Sequence, residues 1–285
     1  MNRLASTLLV FSAGCSLLHA AQPYGLRPEI DLPAAAGLLA MQYHSGALLA
    51  DTREDHMNRS TLDRNEIPAF DRWAIGFYSP RLSALSSVVA GAEFLVPAAV
   101  NLWDTYHGLQ PWQGMLVDAV ILQEALMLSS SLSSYSKSFP MHATPLSYDP
   151  KVPEGVRNEP QNASSFFSNH TTAAFTTAVF SAYTFQLRHP DSHLVPWVWS
   201  GSLALATGVG SMRVLAGKHF PSDVLAGAAA GALCGYLVPK LHSRRLRAAR
   251  SPDLPDLKSK PLSWDVGVTV PEGTVAAGPS LRIHF

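Results

Sequence analysis

Six apolar stretches, at about 32–50, 83–100, 114–134, 168–187, 194–212 and 223–240, dictate what this chain can fold into. Most approach the ~20 residues that a helix needs to cross a bilayer. They predict an all-α fold: a helical bundle of six apolar helices, membrane-embedded. Ionisable and polar groups interrupt them, with Glu93 in the second stretch and Asp118, Gln123 and Glu124 in the third. Charge is costly in lipid, so these side chains must face the bundle interior. A soluble bundle would hide them equally well. Gly227, Gly231 and Gly235 recur at every fourth position of the last stretch and allow another helix to approach closely.

The chain has 285 residues, 47% of them hydrophobic and 15% charged, enough for one large bundle. A formal net charge of +0 carries no nucleic-acid signature. Two cysteines, Cys15 and Cys234, define no disulfide framework. Residues 1–21 have the form of a signal peptide, with Arg3 ahead of an apolar run from Leu4 to Leu18 and small residues at Ala20 and Ala21. An uncleaved first anchor is the alternative. Residues 22–82 hold an N-terminal helix and a polar loop, 83–242 the helical-bundle domain, and 243–285 a basic and then β-like tail. Alternation at Val266–Val270 and Leu281–Phe285 predicts a short C-terminal β-hairpin.

The chemistry concentrates in R-V-L-A-G-K-H-F-P-S-D, in which Arg213, His219 and Asp223 stand at R-x5-H-x3-D spacing. A planar guanidinium suits a phosphate dianion, and a histidine can attack phosphorus. A carboxylate one helical turn on can hold that imidazole in one tautomer. Upstream, Ser164-Ser165-Phe166-Phe167-Ser168-Asn169-His170-Thr171 runs into an apolar stretch and reads as a helix N-terminus. Such a terminus offers unpaired N–H groups to an anion. His170 there is either a proton donor to a leaving alkoxide or a solvated cap residue.

Together these segments resemble the superfamily of type 2 phosphatidic acid phosphatases, bacterial acid phosphatases and vanadium haloperoxidases, over roughly residues 83–242. That family carries K-x6-R-P, then S-G-H, then R-x5-H-x3-D. The third motif is Arg213, His219 and Asp223. The second is Ser168, Asn169 and His170, with asparagine in place of glycine. The first keeps Lys137 and Pro145, but Thr144 stands where the family has arginine. The resemblance implies that His219 is the nucleophile, Asp223 its orienter and His170 the general acid. It implies that Lys137, Arg213, Ser168 and the backbone N–H of Asn169 hold the phosphate oxygens, with no metal and no cofactor. Loss of one charged hydrogen bond at Thr144 is expected to weaken the enzyme by roughly ten- to a hundredfold, unless His142 or Lys218 supplies the charge.

All three motifs fall beside alternate connections and so share one face of the bundle. The cluster Lys240, Arg244, Arg245, Arg247 and Arg250 follows the last stretch on the other face, as a cytoplasmic end should. The expectation is a multi-pass protein of a bacterial cell envelope with its site toward the periplasm. Gln42, His44 and Ser45 interrupt the first stretch, which then need not span. The proline-containing linker at 146–165 carries the substrate mouth. The expected activity is metal-independent hydrolysis of a phosphomonoester or pyrophosphate, of a lipid, through a phosphohistidine. The expected partners are a phosphorylated lipid or small phosphate ester and the membrane. The alternatives are a soluble periplasmic acid phosphatase of the same superfamily and a weakened envelope protein that binds lipid phosphate.

Overall fold

In the computed structural model, which describes residues 23–55, 62–139, 142–243, 264–269 and 278–283, the apolar stretches are helical. The expected signal peptide and Arg244, Arg245, Arg247 and Arg250 lie outside the described residues. The long helices are α1 (Pro28–Asp55), α2 (Pro80–Glu93), α3 (Leu95–Tyr106), α4 (Trp112–Ser138), α6 (Asn169–Arg188), α7 (Val195–Leu215) and α8 (Pro221–His242). A single-turn helix, α5 (Glu154–Arg157), lies in the connection from α4 to α6. Among the described residues, three runs are long and apolar enough to cross a membrane: Pro80–Tyr106, Trp112–Ser138 and Pro221–His242.

The second apolar stretch is two helices rather than one. Pro97 has no N–H to give the carbonyl of Glu93, so the helical ladder is broken at Phe94 and restarts at Leu95. Ser79 caps α2 by accepting the Leu82 N–H at 3.3 Å, with Pro80 at the first helical position.

Helix α6 is the axis of the bundle, packed against α7, α8, α4 and α2. Its sequence suits that place. Thr171, Thr172, Ala174, Thr176, Thr177, Ala178, Ser181, Ala182 and Thr184 are all small and buried. Three of their hydroxyls return to the helix's own carbonyls, from Thr172 to Ser168 and from Thr176 to Thr172, both at 2.8 Å, and from Ser181 to Thr177 at 2.7 Å. The glycines of α8 meet this face directly. A Cβ on Gly231 would fall on the Thr172 carbonyl oxygen, and one on Gly235 on that of Thr176.

The polar segment after α1 is not a free loop. Ile67 and Ala74 pack with Val214 and Phe220 in one apolar cluster. Asp71 accepts the backbone N–H of Ser222 at 2.9 Å and its hydroxyl at 2.6 Å, so it caps α8 from a distance. Beyond residue 246 a separate unit holds two antiparallel strands, β1 (Trp264–Thr269) and β2 (Gly278–Ile283), with Trp264 opposite Ile283.

Candidate active site

The ends of α4, α6 and α7, the turn before α8 and the 142–165 connection converge on one cavity of about 470 Å³. Lys137, Asn169, His170, Arg213 and His219 all line it. Ser168 and Asp223 are fully buried just behind its wall. The sequence-predicted residues, spread over 87 positions from Lys137 to Asp223, are therefore brought together.

His219 sits in the turn between α7 and α8, made possible by Gly217. That residue has φ +72°, and a Cβ there would meet the Phe77 carbonyl. The turn is pinned from outside by the Leu146 N–H, which donates to the Gly217 carbonyl at 3.0 Å. The His219 ring is 5% exposed. Its Nδ1 lies 3.0 Å from the Ser165 carbonyl oxygen. A carbonyl only accepts, so the proton belongs on Nδ1 and the lone pair on Nε2. Burial pushes the His219 pKa down to about 3, with the Asp223 carboxylate opposing the shift. The ring is neutral at physiological pH.

Asp223 holds the ring less directly than the spacing suggests. Its Oδ2 is 3.6 Å from Nδ1, beyond hydrogen-bond length. That oxygen is already engaged, accepting the Phe220 N–H at 2.7 Å and the Ser165 hydroxyl. Its other oxygen faces His142 Nε2 at 3.8 Å. Asp223 thus lies between two imidazoles, tied to the start of its own helix.

Ser168 caps α6, its hydroxyl accepting from Thr171 N–H at 3.4 Å and Thr171 Oγ1 at 2.9 Å. The first-turn amides of Asn169 and His170 are those that a helix cannot satisfy internally. His170 Nε2 is 3.1 Å from the Ser87 hydroxyl, and its ring feels the charges of Arg213 and Lys137. Arg213 is held by the hydroxyls of Ser83 and Ser86, accepting at 3.2 and 3.3 Å from Nη1. Its Nε has no partner among the described residues. Lys137 donates to the Phe167 carbonyl at 2.7 Å. Thr144 is buried in the wall, its hydroxyl 3.2 Å from that of Ser147. Lys218 lines the same cavity and donates to Asn162 Oδ1 at 3.0 Å.

Sequence reasoning missed Ser165, Asn162 and Asp71. Ser165 and Asn162 fall inside segments already singled out, but nothing about a serine or an asparagine there marks its partner. Asp71 acts on a helix 151 residues away.

Residues 118–247 match the model of the PAP2 superfamily. Among solved structures, a transmembrane PAP2 type phosphatidylglycerolphosphate phosphatase from Bacillus subtilis aligns with 21% identity and a TM-score of 0.43, covering 72% of this chain and 94% of its own. LpxE from Aquifex aeolicus aligns with 25% identity and a TM-score of 0.41, covering 59% and 92%. No curated protein matches the chain. Residues 118–247, the stretch that carries Lys137, Ser168, His170, Arg213, His219 and Asp223, are thus similar to the PAP2 superfamily.

Proposed function

We propose that this protein is a phosphatase that hydrolyses a phosphate ester or diphosphate of a lipid through a phosphohistidine on His219. The observation that carries this reading is a neutral, tautomer-fixed imidazole in the wall of a cavity shared with His170, Lys137 and Arg213. His219 Nε2 attacks phosphorus, and the bond from phosphorus to the leaving oxygen breaks. His170 gives that oxygen its proton, then takes one from the water that hydrolyses the phosphohistidine. Burial, and after it the charges of Arg213 and Lys137, push the His170 pKa down to about 4, and a bound phosphate dianion offsets the two cations. Lys137, Arg213 and the first-turn amides of α6 stabilise the charge on the transferring group, with no step assigned to a metal.

The lipid assignment rests on polarity. The outer faces of the membrane-length helices carry Leu85, Val88, Leu102, Leu116, Leu225 and Leu233, all exposed. We read the protein as multi-pass in the cell envelope, with the cavity end toward the periplasm. The test is phosphate release, in the presence of chelator, from an aryl phosphate and from phosphatidate. His219→Ala and His170→Ala are each expected to lower kcat/KM by about 10²- to 10⁴-fold. Turnover at the wild-type rate in His219→Ala would overturn the nucleophile.

A further inference from the structure

We infer that Lys218, with Asn162 and Gln161, forms a second anion pocket beside the scissile phosphate, so that the preferred substrate is a diphosphate ester rather than a monophosphate. This rests on the phosphatase reading of the cavity and narrows its substrate.

The first support is room. A water molecule takes up ~30 Å³ of liquid, so one phosphate group fills only a small part of the cavity of about 470 Å³. The second is charge. Lys137, Arg213 and Lys218 all line that cavity, and among the described residues no carboxylate does. Two cations balance the charge of roughly two that a phosphomonoester carries at neutral pH. A third cation is left over unless the substrate brings a further negative charge, as the second phosphoryl group of a diphosphate does.

The third support is fixation. The Lys218 ammonium is held rather than loose. Its acceptor, Asn162 Oδ1, belongs to a side chain that is 1% exposed and that donates from Nδ2 to the Val156 carbonyl at 2.7 Å. The backbone carbonyl of Asn162 accepts from Thr144 N–H at 3.1 Å, which ties the pocket to the first motif. Gln161 is at the rim, with Nε2 donating to Glu159 Oε2 at 2.6 Å. Glu159 is thereby engaged at the rim, outside the cavity lining. Burial pushes the Lys218 pKa down, with Glu159 opposing, which is the condition of an ammonium that a second anion would relieve.

The experiment compares a short-chain alkyl monophosphate with the diphosphate of the same alcohol, by kcat/KM, in the full-length protein in detergent. Wild type is expected to prefer the diphosphate. Lys218→Met is expected to lower the diphosphate-to-monophosphate ratio by roughly 10- to 100-fold, chiefly through KM, while Lys218→Arg holds it within about threefold. A wild-type ratio at or below unity overturns the proposal. So does an equal fall on both substrates, which would place Lys218 on the scissile phosphate in the role of the absent arginine. An unchanged ratio in Lys218→Met overturns it as well. His219→Ala runs beside these variants, and full turnover of both substrates there would instead sink the phosphatase reading itself.

Discussion

Ser165 holds two members of the site with two different atoms, its hydroxyl on Asp223 and its carbonyl on His219. The carbonyl belongs to the backbone and survives substitution, so Ser165→Ala separates the two functions. Asp223 would lose one donor but keep the Phe220 N–H. We expect kcat on an aryl phosphate to fall by about ten- to a hundredfold with KM nearly unchanged, since a hydrogen bond to a charged group contributes ~1.5–3 kcal/mol and ~1.4 kcal/mol is tenfold. A large rise in KM with kcat intact would show that Ser165 touches substrate instead of positioning Asp223. This also explains what could be read at the level of single residues. Arg213, His219, Asp223 and His170 announce themselves because ionisable side chains at fixed spacing form a pattern. The acceptor that sets the His219 tautomer is a peptide carbonyl, which every residue possesses, and no sequence pattern can mark it.

Between elements, the contact of α6 with α8 sets the geometry of the site. Ser168 and His170 start one helix and Asp223 starts the other, and Ser168 N–H donates to the Asp223 carbonyl at 3.2 Å. The glycine stripe of α8 holds them at that distance. Gly231→Ala puts a methyl group onto the Thr172 carbonyl, where neither backbone can yield without the helices parting. Overpacking of this kind costs ~1–3 kcal/mol. Gly201→Ala on α7 is the control, since a Cβ there meets nothing within 4 Å, and helix propensity favours alanine by ~1 kcal/mol. Thermal melts in detergent should show Gly231→Ala less stable than wild type and Gly201→Ala no less stable. Equal melting temperatures for wild type and Gly231→Ala would mean that α8 is not clamped on α6. The stripe was visible in the sequence as a close-approach device, though not which helix it meets. The split at Phe94 was hidden because the apolar run passes through it unbroken, and Pro97 sits near enough to a helix start to be tolerated. The anchoring of residues 67–74 was hidden too, since a polar composition describes solvent preference and says nothing of a long-range cap by Asp71.

Among the described residues, hydroxyls, carboxylates and an arginine are buried beside the apolar clusters while many leucines lie outside. Glu93, Asp118 and Glu124, expected to face inward, are 4%, 1% and 4% exposed, whereas Gln123, expected to join them, is exposed. Asp118 has a specific reason to be there. At the end of α6 remote from His170, Arg188 pairs with Asp118 and, at 3.3 Å, with Asp104, while His189 Nε2 is 3.0 Å from Asp104. Nη1 of Arg188 also donates to Asn101 Oδ1 at 3.1 Å. One guanidinium thus fastens α3 and α4 to the central helix. Arg188→Met would take the guanidinium from two buried carboxylates among membrane-length helices, leaving Asp104 with His189, and breaking a buried pair costs ~3–5 kcal/mol. Adding Asp104→Asn and Asp118→Asn removes the stranded charges, so the triple variant should recover most of the lost melting temperature. The cluster is 18 residues along α6 from His170, or ~27 Å at 1.5 Å per residue. Protein of the triple variant that remains folded should therefore turn over an aryl phosphate within about threefold of wild type, because sites this far apart with no shared partner act nearly independently. Failure of the triple variant to regain stability would mean that the arginine acts through its packing rather than its charge.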